Sequence, residues 1–256
     1  MHDLELRTAE PTVLRHRRRR SLPWLIATAT LLVLAGGGVA WWLHRPPAPV
    51  SVNQVIDKFR KSSPGAGRTS SGPPTGVYVY ATTGGERISA GVKHHYPART
   101  TLTVTTNDCG LDVRWDALAG RWADWQICHD GLGWRLVHYT DVHKFLYLQD
   151  VKDYSCTGYP VVSCRTRDGL LTSTVQAVGR ESLTLDGATV RVTHLRINQE
   201  ATGKSVSSGT VDVWVLPSGL PARLTIRDHG YSVVLGSHID YFESATFRLT
   251  SASPRR

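Results

Sequence analysis

From Gly76 onward, apolar and polar residues alternate with a period of two, in short runs separated by turn residues. Successive side chains of a strand point to opposite faces, so this period marks β structure and excludes an amphipathic helix over the same residues. Leu102 and Val104 alternate with Thr101, Thr103 and Thr105. Leu111, Val113 and Trp115 alternate with Asp112, Arg114 and Asp116. The same phase recurs at Val211, Val213 and Val215, at Leu224 and Ile226, and at Ala245, Phe247 and Leu249. Each run has one dry face and one wet face, and consecutive strands with short turns predict an antiparallel meander. Leu183-Thr184-Leu185 and Val190-Arg191-Val192 flank Asp186-Gly187-Ala188, a hairpin turn signal. No long helix follows Lys61, and no internal repeat is present.

The N-terminal part reads differently. A basic run, Arg15 to Arg20, precedes an uninterrupted apolar stretch from Trp24 to Leu43. About twenty helical residues span a bilayer core, and Lys and Arg are retained on the cytoplasmic side. The expected division is a cytoplasmic basic leader (1–22), a transmembrane helix (23–43), and a stalk, short helix and flexible loop (44–75). An extracytoplasmic β-domain (76–250) and a tail (251–256) follow. Trp24 and the Trp41-Trp42 pair stand where interfacial aromatics are found. A cleaved signal peptide is the alternative for this segment, with Gly38-Val39-Ala40 as a cleavage site. Within 44–75, Arg45 to Pro49 is a Pro-rich spacer. Val52, Val55, Ile56 and Phe59 share one face of a helix over Val52 to Lys61, with Ser51 at its N-cap.

The formal charge is +9. Six arginines against three carboxylates give the leader +3, which leaves +6 for the remainder. That charge is spread thinly, so nucleic acid is excluded as an expected partner. The four cysteines, Cys109, Cys128, Cys156 and Cys164, all follow the apolar stretch, where thiols oxidise. Two disulfides with neighbour pairing, Cys109 to Cys128 and Cys156 to Cys164, are expected. The spacings do not suit zinc.

Catalytic signatures are lacking. The exported histidines, His94, His95, His129, His138, His143, His194, His229 and His238, follow no metal-ligand spacing. There is no HExxH, GxSxG or SxxK motif. His94 and His95, adjacent on a strand, face apart. Asp112, Asp116, Asp124, Asp141 and Asp150 read as surface salt-bridge partners. The densest local feature is aromatic: Trp115, Trp122, Trp125 and Trp134 lie in or just beyond the Cys109 to Cys128 unit. Tryptophans at this frequency build core or line a binding groove. Trp115, Trp125, Trp134 and Trp214 are the candidate ligand-binding residues.

The segment from Val211 to Arg223 places a Trp on an apolar strand, then Pro217, Gly219, Leu220 and Pro221 before Arg223. It resembles the strand, Trp and Gly-Leu-Pro turn signature of the LolA-like lipoprotein carriers and the LppX-like lipoproteins. The sensor domain of RseB-like regulators carries a similar segment. The resemblance covers about a fifth of the exported domain. It implies a mainly β fold, an open, curved antiparallel sheet (half-barrel) with a short N-terminal helix, sheltering acyl chains. The Gly/Ala/Arg-rich composition matches a high-GC actinobacterium. Together these expectations describe a non-enzymatic binding domain tethered to the cell membrane by a single helix. It would hold a lipid, glycolipid or lipoprotein acyl chain without a cofactor or metal. The alternative is a protein-interaction or envelope-stress sensor module without a lipid.

Overall fold

The computed structural model describes residues 47–62, 72–89, 91–130, 133–145, 148–234 and 236–256. Trp24 to Leu43 lies outside these residues, as does most of the loop expected before Gly76. Among the described residues no helix is long and apolar enough to cross a membrane.

Among the described residues one helix, α1 (Val52–Ser62), precedes thirteen strands. These are β1 (Gly76–Ile88), β2 (Lys93–His95), β3 (Arg99–Thr106), β4 (Gly110–Leu118), β5 (Arg121–His129), β6 (Trp134–Phe145) and β7 (Leu148–Thr157). The chain continues through β8 (Val161–Arg165), β9 (Gly169–Leu185), β10 (Ala188–Gly203), β11 (Ser205–Val215), β12 (Pro221–Val234) and β13 (Ser237–Leu249). Every pairing is antiparallel, and each strand from β3 to β13 pairs with its successor. The expected meander is therefore present.

The expected open half-barrel is not. β13 pairs with β1 from Tyr80↔Leu249 to Ile88↔Tyr241, and β1 pairs with β3, so twelve strands form a closed ring. Three-residue β2 extends the β3 side of β1 through Glu86↔His94. Closure removes the two free edges that an open sheet would leave. Its signal was invisible in the sequence, because β1 and β13 are separated by almost the whole domain.

The period-two pattern sorts the wall. Tyr78, Tyr80, Leu102, Val104, Leu111, Trp115, Ala245, Phe247 and Leu249 face inward and form the main core. Outward positions on β10, Arg196, Asn198, Glu200 and Thr202, are exposed and polar. α1 packs outside the ring, where Ile56 and Phe59 cover the outward side of β1 at Val77. That matches the helix expected from its apolar face.

Local turns follow their residue chemistry. Asp186 and Gly187, both at positive φ (52° and 75°), make the two-residue β9–β10 turn, which favours Asp-Gly. Gly219 (φ 85°) turns the chain between β11 and β12, with Pro221 opening β12. Both expected disulfides are present, Cys109–Cys128 and Cys156–Cys164. The first bridges the ends of the β4–β5 hairpin. The second joins paired residues of β7 and β8.

Candidate functional site

The barrel interior has two chemically distinct parts. One is the apolar core just described. The other is a set of charged side chains that continue the inward phase of apolar strands: Glu86 follows Tyr78, Tyr80 and Thr82 on β1, and Glu243 precedes Ala245 and Phe247 on β13. Arg121 on β5, Asp141 and His143 on β6, and His94 on β2 complete it.

Arg121 is at its centre and only 5% exposed. Its guanidinium reaches Asp141 at 2.6 Å, Glu243 at 3.2 Å and Glu86 at 3.3 Å, and lies over the Trp115 ring at 4.9 Å. Tyr96 accepts from Arg121 Nε at 3.3 Å and donates to Glu243 at 2.7 Å. Tyr241 donates to Glu243 at 2.6 Å. His94 Nδ1 meets Glu86 at 3.0 Å. His143 lies between two carboxylates, with Nδ1 3.0 Å from Glu86 and Nε2 2.9 Å from Asp141. A ring with an acceptor at each nitrogen is held as the imidazolium, since both nitrogens must donate.

The titration of these groups follows from the contacts. Burial and the Arg121 charge oppose protonation of His143, but Asp141 and Glu86 outweigh them and raise its pKa to about 9. Burial also disfavours the Glu86 carboxylate, yet hydrogen bonds from His143 and His94 bring its pKa down to about 2. Asp141 is likewise held below the usual carboxylate range, burial being outweighed by Arg121 and His143. A buried network of this kind contributes specificity more than net stability, because desolvation cancels much of the attraction.

Asp228 on β12 differs. It faces inward opposite Glu243, and its Oδ1 is buried without a hydrogen-bond partner among the described residues. Burial, then the fields of Glu243 and Asp141, raise its pKa to about 6.

Beyond this charged part the inward wall is incompletely covered. Leu195, Ile197, Val211, Leu224, Ile226, Trp125 and Tyr139 face inward by register, yet each is only half-buried. Eight strands already enclose an interior that side chains can fill or that holds one small ligand, and twelve enclose more. Leu224, Ile226, Trp125 and Tyr139 pack against the main core from this wall.

The four tryptophans expected to line a ligand groove are distributed. Trp115 is buried, edge-on to Tyr96 and Phe247 at 5.5 Å and 5.3 Å. Trp125 stacks on Tyr139 at 5.8 Å, and Tyr139 on Tyr154 at 5.5 Å, an aromatic ladder along the inner wall of β5, β6 and β7. Trp134 packs against the main core and meets His129 edge-on at 5.1 Å. Trp214 follows Val213 on β11 and is itself a buried member of the main core. There it stacks on His194 at 4.2 Å and donates to Glu181 at 2.8 Å. His194 also spans Glu181 and Asp212, at 2.8 Å and 2.9 Å. Trp115 thus lies against the Arg121 guanidinium, Trp125 starts the aromatic ladder, and Trp214 is part of the main core, beside His194.

Among the candidate carboxylates, Asp116 and Asp124 pair with Arg114 on the outer face, as surface partners should. Asp141 instead is inside. His94 and His95 do face apart, one buried and one exposed. Glu86, Arg121, Asp228, Tyr241 and Glu243 were missed by motif reading. The available signal was phase: each carboxylate occupies the next inward position of a strand whose other inward residues are apolar or small.

Among the described residues no group of three or more His, Cys, Asp or Glu side chains is arranged to hold a metal ion. No protein-family profile matches the chain, and no curated protein matches it. Solved structures similar to it include two from bacteria. The hypothetical lipoprotein YmcC of Escherichia coli K12 is 13% identical over 79% of this chain and 100% of its own, with a TM-score of 0.33. A candidate lipoprotein of Parabacteroides distasonis is 10% identical over 70% of this chain and 96% of its own, with a TM-score of 0.29. Likeness at this level identifies neither the family nor the function of the chain.

Proposed function

We propose that the barrel is a non-enzymatic binding domain on the extracytoplasmic side of a cell envelope, holding a lipid or lipoprotein acyl chain in its lumen. The observation that carries this reading is the continuous, partly buried apolar inner wall, Leu195, Ile197, Val211, Leu224 and Ile226, opposite the Trp125–Tyr139–Tyr154 ladder. An apolar ligand covering that wall gains about 25 cal/mol for each Å² removed from water. The two disulfides support the compartment, since such bonds persist where conditions are oxidising. The charged end, whose Arg121, His143, Glu86, Asp141 and Glu243 pair with one another at short range, supplies polarity rather than a nucleophile and base. The acyl chain would lie between this wall and the ladder, with its polar end toward the charged residues.

Native mass spectrometry of the full chain, purified from its own host and released from solubilising agent in the gas phase, tests this. Additional mass of a lipid, lost on Ile197→Trp and Leu224→Trp substitution of the wall, is expected. A chain that is consistently empty overturns lipid binding and leaves a protein-interaction or sensor role.

A further inference from the structure

The outer wall of four neighbouring strands is basic. On β3, β1, β13 and β12 the outward charged residues are Arg99, Arg87, Arg248, Arg223, Arg227 and Asp240, five arginines against one carboxylate. Asp240 stands eight residues along β13 from Arg248, about 27 Å at the rise of a strand. Arg248 and Arg223 are direct cross-strand partners. Like charges set opposite one another on a sheet repel, their Cβ atoms being about 5 Å apart. Among the described residues neither arginine forms an ion pair or donates a hydrogen bond. Arg223 Nε is buried, so the donors that Arg223 can offer to solvent are its two terminal nitrogens.

Thr225 and Thr246 form the next register pair on the same face, with their hydroxyls 3.4 Å apart. One hydroxyl proton serves that contact, which leaves the other to donate. Two guanidinium groups and a hydroxyl donor therefore share a patch one strand spacing wide and two residues long, about 5 Å by 7 Å. Arg223 is held in place, its guanidinium lying 4.5 Å from the ring centroid of Trp214, its register partner on β11. The two carboxylates on that side are already engaged, Asp212 by Arg196 and His194, Glu181 by Trp214 and His194. On the other side Arg248 is exposed beside Ala81, and Arg99 follows on β3.

We infer that Arg223, Arg248, Thr225 and Thr246 form a binding site for a phosphate monoester on the outer wall of the barrel, independent of the lumen. A monoester has three terminal oxygens, enough for both guanidinium groups and the hydroxyl. A planar carboxylate has two, which a single guanidinium can occupy bidentately. An anion between the arginines replaces their repulsion with charge-assisted hydrogen bonds, and Arg99 and Arg227 add to the positive potential that draws it there. The outward residues around the site, Ala81, Thr83 and Thr250, give an acyl chain nothing to lie on. The ligand is therefore a soluble phosphate ester rather than a phospholipid.

Glycerol 3-phosphate, the diester glycerophosphoglycerol and acetate, titrated calorimetrically into the full chain in an uncharged detergent at pH 7.5 and matched ionic strength, separate the outcomes. The monoester should bind saturably and at least about tenfold tighter than the diester or acetate, which is the size of one charge-assisted hydrogen bond. Arg223→Gln and Arg248→Gln should each weaken it by about tenfold or more. Arg227→Gln, which removes the same charge from the same wall outside the site, should change it by less than about threefold. Near-ultraviolet circular dichroism reports that each variant keeps the fold. Arg248 is exposed and packs in no core cluster, so its variant decides the matter even should Arg223→Gln fail to fold. Acetate or the diester binding as tightly as the monoester overturns the assignment. So does an equal loss in Arg227→Gln and Arg248→Gln, which marks a diffuse basic surface, or the absence of saturable monoester binding.

Discussion

Arg121 is the residue on which the charged interior depends. Three carboxylates lie within 3.3 Å of its guanidinium, and it is buried between strands from distant parts of the sequence. Arg121→Met keeps the volume and the contact with Trp115 but leaves Glu86, Asp141 and Glu243 with His143 as the nearby counter-charge. Breaking a buried ion network by removing one partner costs about 3 to 5 kcal/mol. Chemical denaturation should show that loss, and a loss below about 1 kcal/mol would mean that the network is solvated. The pH dependence of stability follows from three groups. His143, raised from 6.5 to about 9, stabilises fully below 6.5, and that contribution is lost as pH rises through 9. Asp228, raised from 3.8 to about 6, acts in the same direction: its neutral form favours the fold, and the benefit is lost as pH rises through 6. Glu86, lowered from 4.5 to about 2, stabilises above 4.5 and loses that as pH falls through 2. The urea midpoint should therefore be higher at pH 5.5 than at pH 9.5 or pH 2. A midpoint that rises steadily from pH 5.5 to 9.5 contradicts these assignments.

Elements were read more easily than their assembly. The alternation at Leu102 to Thr105, Leu111 to Asp116 and Ala245 to Thr250 gave strands whose inward residues are those of the core, because burial on one face of a pleated strand writes itself into the sequence at period two. α1 was legible from Val52, Val55, Ile56 and Phe59, and the Asp186-Gly187 turn from its conformational demand. The disulfide partners were legible because each pair closes a hairpin of neighbouring strands, where the Cα atoms come to 4.8 Å and 4.0 Å. Replacing Cys109 and Cys128 together by Ser should cost about 2 to 4 kcal/mol in denaturation under oxidising conditions, and nothing when both proteins are reduced. Equal stability of the two oxidised proteins would show that the bridge does not constrain the unfolded chain. The ion network was not legible. Glu86 and Arg121, or Arg121 and Glu243, meet only through closure of the ring, and a charged residue in an inward phase is indistinguishable by local pattern from a strand end.

At the scale of the whole molecule, closure separates this barrel from the half-barrel that the Val211 to Arg223 segment suggested. That segment forms the expected strand, turn and strand, but the sheet to which it belongs closes. Closure predicts that Thr83 on β1 and Thr246 on β13, paired and outward, are adjacent. A Thr83→Cys, Thr246→Cys chain should form the new disulfide under mild oxidation, whereas a chain whose first and last strands are apart would not. Closure also converts a sheet face into a lumen, and the central claim is that an acyl chain occupies it. The most direct measurement is photocrosslinking of the full chain with an alkyl probe carrying a terminal diazirine, followed by peptide mapping. Adducts on inward residues, Leu195, Ile197, Val211, Leu224 and Ile226, are predicted; adducts confined to outward residues or to α1 would contradict a lumenal site.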